Sequence, residues 1–534
     1  MPAPSGHPGA ASEPLPRVAL ILWCAIPALA LAGVYELAAW REAGTLGFPL
    51  DDAWIHAQFA RNIATGHGFS YTGDRWVAGS TSPAWTLLLA SGYFVARSVL
   101  IAAKALGIVL QILAGVFGAR LVEMLTGRRD LAIAGALLIV ACPAMVWGAV
   151  SGMEVGLASV LVLAGFRCHL DPRRGTAREL SAVALFAAAT LARPETLVIV
   201  AMCVLHLLAR TRPVSRMSLR AAQAALILLV VLGPFVVLDY ATTGRPLPTT
   251  FYAKSGPGLM RAIAERNGPL AERLFLKTGP EAVKQFGATL IDQFGAAAIV
   301  MPLGALAAFA PSLRRRGAPL VLAAVLVSAY AMGLIAPMRL KPENFRYTAQ
   351  LLVLSAVLAA AGLSIWPLKA GAARIAVVAI LIALVGRETA RGAGVYATSV
   401  RNIEQLQVTL GRWMRQWLPL DARVAVNDIG AAAYFSRREI VDLEGLVSPE
   451  ALAYPRPERG IGFATATRPD YIAIFPFWYP DLSRRTDLLQ EVHRISISGN
   501  LVSAGDTIVV YRTPWTREPV LAYPFPEPRR RWPD

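Results

Sequence analysis

Long apolar stretches, each bounded by a few charged residues, recur along most of the chain. A run of about 18 or more apolar residues is long enough to cross a bilayer as a helix. Eleven spans are predicted, at approximately 18–40, 100–126, 130–148, 155–168, 179–192, 196–210, 220–241, 288–311, 318–336, 347–365 and 373–390. Several fall short of a full crossing, 179–192 and 196–210 most of all, so tilted or partial helices are expected there. The first, Val18 to Trp40, exceeds the apolar core of about 7–15 residues typical of a secretory signal and reads as an uncleaved anchor. Past about residue 390 the pattern changes. Polar, Pro-rich sequence surrounds short β-type runs at Arg423–Asn427, Tyr471–Phe475 and Thr507–Tyr511, with helical patterns at Asn402–Trp417 and Ser448–Ala453. The expected architecture is an all-α polytopic membrane module (18–390) of about eleven transmembrane helices and two juxtamembrane helices. A disordered cytoplasmic N-terminus (1–17) precedes it, and an extracytoplasmic α/β domain (391–534) follows.

Composition agrees: 55% of the 534 residues are hydrophobic and only 16% charged, which excludes ordinary soluble domains. The net charge of +17 would suit nucleic acid if it were spread over one face. Instead the basic clusters fall on alternate sides: Arg128 and Arg129; Arg173, Arg174 and Arg178; Arg210, Arg212, Arg216 and Arg220; Arg314 to Arg316; Lys369 and Arg374. With the N-terminus inside, all of these are cytoplasmic, as the positive-inside rule requires. Segments 41–99, 242–287, 337–346 and everything after about 390 are then outside. The four cysteines, Cys24, Cys142, Cys168 and Cys203, lie in or at the ends of spans without paired spacing and read as small packing residues.

The first external loop, 41–99, holds the most chemistry. Asp51 to about Ala64 is helix-compatible, and Gly66 and Gly68 stop it. Its stripe of Trp54, Ile55, Phe59 and Ile63 suggests a helix lying on the membrane surface. A second apolar stretch, 83–96, reads as another juxtamembrane helix, since making it cross would invert every later loop. Asp51 and Asp52 therefore sit at the N-terminus of an interfacial helix. Asp51 is open to two readings: an N-cap for that helix, or a general base that removes a proton from an attacking hydroxyl. Adjacent helical residues point about 100° apart, so one acid is the base and the other supports it. His56, four residues after Asp52, shares its face, and the pair is a two-ligand candidate for a divalent cation. Two ligands do not define a metal site, and no cofactor is otherwise indicated. Arg61, on the same helix, is placed to pair with one of the acids.

Several motifs carry a family resemblance. The run Asp51-Asp52-Ala53-x-Ile55, with Arg61-Asn62, Gly66-His67-Gly68-Phe69-x-Tyr71 and Gly79-x-Thr81-Ser82-x-x-Trp85, resembles the first loop of bacterial GT-C glycosyltransferases. Within that superfamily it is most similar to the group of the mycobacterial terminal β-arabinofuranosyltransferase. Ser151-Gly152-Met153-Glu154, Arg193-Pro194-Glu195, Pro248 to Lys254, Arg346-Tyr347, Asn427 to Gly430 and Val441 to Leu446 agree in order along the chain. Where many relatives carry an acid before the Gly-x-Thr segment, this chain has Ala78.

The resemblance implies a bacterial plasma-membrane enzyme. It would move a sugar, a pentofuranose such as arabinofuranose among the candidates, from a polyprenyl-phosphate carrier to an extracytoplasmic glycan or lipid acceptor. Polyprenyl phosphate needs no proton donor to leave but does need cations, as charge builds on it. Lys254, Arg346 and Arg193 are the candidates for that role, each equally able to snorkel to headgroups. His56, Arg61, Glu154, Glu195, Tyr252 and Tyr347 are candidate substrate contacts. The Arg193-Pro194-Glu195 segment reads first as a structural break with a local ion pair. The alternative function is a transporter or flippase of a lipid-linked sugar, which predicts inverted repeats or charges near span midpoints; the sequence has neither.

Overall fold

A computed structural model describes residues 16–173, 175–254, 258–335, 342–366, 371–455 and 459–516. Residues 1–15 of the predicted disordered start (1–17), the tail 517–534, 337–341 of the 337–346 loop, Arg174, Lys369, and the side chains of Lys254 and Arg374 lie outside the described residues. The membrane module begins with α1 (Arg17–Ala43), α2 (Asp51–Ala64), α3 (Pro83–Ala96), α4 (Val99–Thr126), α5 (Arg129–Ala141) and α6 (Pro143–Val150). It continues through α7 (Val155–His169), α8 (Thr176–Ala192), α9 (Leu197–Arg210) and α10 (Val214–Thr243).

Each predicted span is helical over most of its length. Five helical stretches are long and apolar enough to cross a membrane: α1, α4, α10, the run Gly268–Ala307, and Ala318–Ile335. The α5–α6 pair, bent by 55° at its break, makes a sixth if counted as one span. The bend falls where Pro143 removes a backbone N–H donor. By length and apolarity, five or six of the described helices are candidate crossings, and shorter apolar helices lie at several of the other predicted spans. Shorter helices such as Ala349–Gly362, every residue of which is buried, are core elements packed among the long ones.

The helix predicted at 373–390 runs unbroken from Gly371 to Ile403, so the boundary set at 390 falls inside a helix. It packs along α1, with the Tyr35 and Tyr396 rings 5.3 Å apart and Arg401 paired to Glu42 at 3.1 Å. A π turn (Glu404–Val408) and a helix (Thr409–Trp417) lead into the C-terminal sheet. Its strands are β1 (Arg423–Val426), β2 (Glu439–Asp442), β3 (Tyr471–Ile474), β4 (Gln490–Ser496) and β5 (Thr507–Arg512), ordered β2-β1-β3-β5-β4. β1 pairs parallel with β2 and β3, while β5 pairs antiparallel with β3 and β4. β1, β3 and β5 were legible as apolar runs; the edge strands β2 and β4 were not. The four cysteines are unpaired, and Cys24, Cys142 and Cys203 are buried.

Candidate functional site

The first loop does not lie on a membrane surface by itself. Nine of the residues of α2 are buried, including Trp54, Ile55 and Phe59 from the expected lipid-facing stripe. The Trp54 ring lies 4.7 Å from Phe48, 4.9 Å from Tyr434 and 4.7 Å from Phe435. Its apolar face is covered by the C-terminal domain instead of lipid, because covering that area with protein removes it from water equally well.

Asp51 explains how that docking is fixed. It does not cap its own helix. Its Oδ2 accepts the Gly430 N–H at 2.6 Å and its Oδ1 the Ala431 N–H at 2.7 Å. These N–H groups open the Gly430–Ser436 helix, whose first-turn donors have no partners within the helix. A Cβ at residue 430 would sit 2.1 Å from the Asp51 carbonyl oxygen, so the approach needs glycine. Burial pushes the Asp51 carboxyl well above the ordinary carboxylate range; the neighbouring Asp428 carboxyl pushes the same way, and the two N–H bonds oppose. Two further contacts hold loop and domain together. Tyr71 OH donates to Ile429 O at 2.9 Å, and Thr249 Oγ1 lies 2.8 Å from Ala78 O and 2.5 Å from Leu446 O. Asp442 shapes the turn that presents Leu446, accepting the N–H groups of Glu444 and Val447 at 2.8 and 2.7 Å. Burial pushes its pKa up to about 6.

Asp52 belongs to a different set. Its Oδ2 accepts from Arg346 Nη2 at 2.7 Å, and 28% of its side chain is exposed. The Arg346 and Arg193 guanidinium carbons lie 5.1 and 4.4 Å from the centre of the same Tyr347 ring. Arg193 bonds Glu154 Oε1 at 2.5 Å and Glu195 Oε1 at 3.1 Å. His56 Nε2 lies 3.4 Å from Glu154 Oε2, and His56 Nδ1 is 3.3 Å from Thr86 Oγ1, which contacts Ser80 Oγ at 2.9 Å. Burial alone would raise the Glu154 pKa, but Arg193 and His56 hold it well below the ordinary range. Nη1 of Arg346 is buried and has no hydrogen-bond partner among the described residues.

Seven residues singled out in the sequence therefore meet in one network: Asp52, His56, Glu154, Arg193, Glu195, Arg346 and Tyr347. Gly152 sets its geometry. With φ +76°, it turns the chain so that Glu154 faces His56; its carbonyl accepts from Trp85 Nε1 at 2.9 Å, and the Phe48 ring fills the space a Cβ would need. The ion pair expected within Arg193-Pro194-Glu195 is present, at a 3₁₀ turn joining α8 to α9.

Other residues fall elsewhere. Arg61 does not pair with an acid of its own helix: its Nη1 bonds Tyr434 O at 2.9 Å, its Nη2 bonds Gln58 Oε1 at 2.5 Å, and it lies over the Tyr434 ring at 4.3 Å. Nine residues past Asp52 it faces the opposite side of α2. Tyr252 packs against Phe251 and lies under Arg245 at 4.8 Å. The sequence reading did not single out Asp428, Ser80 or Thr86, although all three lie in or beside motifs it quoted. The divalent-cation candidate gains no third ligand: among the described residues, no group of three or more His, Cys, Asp or Glu is placed to hold a metal.

A helical membrane body, an acid-bearing first loop and a mixed-sheet domain docked on that loop make up a GT-C-like fold. The chain superimposes on ArnT from Cupriavidus metallidurans bound to undecaprenyl phosphate with a TM-score of 0.59 at 13% identity, covering 92% of this chain and 97% of that one. It superimposes on the oligosaccharyltransferase AglB from Archaeoglobus fulgidus, in complex with an inhibitory peptide and a dolichol-phosphate, with a TM-score of 0.55 at 14% identity, covering 94% and 75%. Likeness to the mycobacterial arabinofuranosyltransferase AftD has a TM-score of 0.47 at 14% identity over 94% and 42%, which is too distant to bear on the sugar. A family described as a domain of unknown function (DUF8728) matches residues 399–511. No curated protein matches the chain.

Proposed function

We propose that this protein transfers a sugar from a polyprenyl-phosphate carrier to an extracytoplasmic glycan or lipid acceptor, with Asp52 as general base and Arg346 as the cation that receives the phosphate. One observation carries the reading. A partly exposed carboxylate and a part-buried guanidinium with a buried, unpartnered Nη1 lie 2.7 Å apart, in a fold shared with proteins whose structures hold undecaprenyl phosphate or dolichol-phosphate. The acceptor hydroxyl gives its proton to Asp52 as its oxygen bonds to the anomeric carbon. The bond from that carbon to the phosphate oxygen breaks, and the electron pair leaves on phosphate beside Arg346.

Asp51 is the weaker candidate for base: both its oxygens are occupied by backbone N–H groups, and burial favours its protonated form. Arg193 acts by position. Both its Nη groups are engaged by carboxylates, so it holds Glu154 and the Tyr347 ring in register instead of meeting phosphate. On motif resemblance, a pentofuranose such as arabinofuranose heads the list of sugars.

The test is sugar transfer by purified protein in lipid, from a panel of radiolabelled polyprenyl-phosphate pentoses and hexoses to membrane glycan extract. Collapse of transfer in Asp52→Asn with retention in Asp51→Asn supports the assignment, and the reverse pattern transfers it to Asp51. Movement of intact lipid-linked sugar across the bilayer, with no donor consumed, replaces the transferase with a transporter.

A further inference from the structure

A cavity of about 920 Å³ opens between the first loop and the free edge of β2, the outermost strand of the sheet. It is as large as sites that hold drug-sized ligands or short saccharides. Residues of α2 and the segment after it form one wall, and Arg437 to Val441 lie across from them. Thr72 Oγ1 accepts the Ile440 N–H at 3.4 Å, tying the loop to the strand edge.

The charges lining this cleft do not balance. Its carboxylates are Asp74, Glu439 and Glu450, and each already has a basic partner: His67 at 2.8 Å, Arg423 at 3.0 Å and Arg75 at 2.6 Å. Arg61, Arg437 and Arg438 also line it, with no carboxylate partner among the described residues. Arg61 spends its donors on the Tyr434 carbonyl and the Gln58 amide oxygen. Arg438, only 5% exposed, bonds the carbonyls of Ser436, Arg415 and Leu418 at 3.0, 2.9 and 2.7 Å, and its Nε has no partner. Arg437 is held at φ 54° as the left-handed residue ending the Gly430–Ser436 helix, a conformation unusual for a side chain of its size. Three arginines thus line one concave site, Arg437 exposed, Arg61 half-buried and Arg438 buried. The Arg437 guanidinium, with no side-chain partner among the described residues, can offer an oxyanion two N–H donors at once.

The cleft is not the transfer site. Arg61 lies nine residues beyond Asp52, roughly 14 Å along the helix axis and on its opposite face. We propose that it is an anion-binding subsite for a saccharide bearing carboxylate or phosphate groups, held by the exposed Arg437 guanidinium, with Arg61 and Arg438 contributing positive charge to the wall. Its assignment to the acceptor rests on the transferase reading above.

Binding would be measured on the full chain in lipid nanodiscs, at low and high salt, with three probes: tetragalacturonate, inorganic phosphate and neutral maltotetraose. Tetragalacturonate or phosphate should bind and maltotetraose should not, with affinity falling as salt rises. Which anion binds identifies the source of the charge. Arg437→Gln changes an exposed side chain and should weaken binding about tenfold or more, and Arg437→Lys should restore part of it. Failure of both anions to bind, binding of maltotetraose with equal affinity, or indifference to Arg437→Gln and Arg61→Gln overturns the proposal. Anion binding by a protein that transfers no sugar removes the transferase reading and leaves the subsite standing. Transfer without anion binding does the opposite.

Discussion

Removing the Glu154 carboxylate with Glu154→Gln tests whether the network is a rigid support. Its side chain is 1% exposed, that of Arg193 is 6% exposed, and they meet at 2.5 Å. Breaking a buried pair by removing one partner costs about 3–5 kcal/mol, because the other charge is left without compensation. Here Glu195 stays 3.1 Å from Arg193, and glutamine keeps one acceptor oxygen, so the expected loss is near the lower end, about 3 kcal/mol. Equilibrium unfolding in mixed micelles, followed by tryptophan fluorescence, would measure it. Arg193→Gln and the double variant complete a cycle, whose expected coupling is about 1–3 kcal/mol. If the two single losses add to the double within about 0.5 kcal/mol, the pair does not act as a unit and the reasoning fails.

The same pair sets a pH dependence with a definite sign. An unfolded glutamate titrates near about pH 4.3, while in the folded protein Arg193 and His56 overcome burial and hold Glu154 well below that. A depressed folded pKa contributes stability above the unfolded value and loses it as pH falls toward the folded one. Wild type should therefore lose stability between about pH 4.5 and pH 3, at up to about 1.4 kcal/mol per pH unit from this group alone. Glu154→Gln should show a shallower decline. Parallel curves for the two proteins would contradict the assignment.

Three further outcomes follow from the geometry. Asp52→Asn should lower kcat for sugar transfer by about 10²–10⁴-fold, measured on protein whose folded fraction has been checked; a loss under about tenfold would remove Asp52 as base. Arg346→Gln, which removes the guanidinium beside Asp52, should raise the donor KM and lower kcat together if, as proposed, the cation meets phosphate before and after bond cleavage; an unchanged kcat would limit it to binding. Gly152→Ala adds a Cβ 2.6 Å from the Phe48 ring at φ +76°, whereas Gly44→Ala, at φ +71°, meets nothing within 4 Å. The second should cost about 1–2 kcal/mol for backbone alone, the first that plus about 1–3 kcal/mol of overpacking, and equal unfolding midpoints would refute the packing argument.

What could be read from the sequence depended on whether the signal was local. Apolar runs located the helices, because the exclusion of water acts on contiguous residues. They did not separate helices of full crossing length from shorter ones: Ala349–Gly362 is as apolar as the long helices but has only 14 residues. β4 was missed because its residues alternate weakly and stay mostly exposed at the sheet edge, so burial left no periodic mark. For the site, the acids and arginines were legible by type, but their partners were not. Asp52 and Arg346 are 294 positions apart, and no spacing rule reports such a contact. The stripe on α2 was correctly apolar and wrongly assigned to lipid, since hydrophobicity states that a face is covered and not by what.

The two acids of the first loop illustrate why adjacent identical residues need separate accounts. On a helix their side chains diverge by about 100°, and the surroundings finish the separation. Asp51 meets backbone donors at the start of a helix, beside a second carboxyl and away from water, a setting that favours its protonated form and fixes its orientation. Asp52 meets a guanidinium at a partly open position. Because they share one backbone turn, the bond that holds the C-terminal domain also fixes where Asp52 points. Any shift of the Gly430–Ser436 helix relative to α2 must move Asp52 against Arg346, so the docked domain is part of the site's geometry even though, among the described residues, none of its side chains joins the Asp52 network.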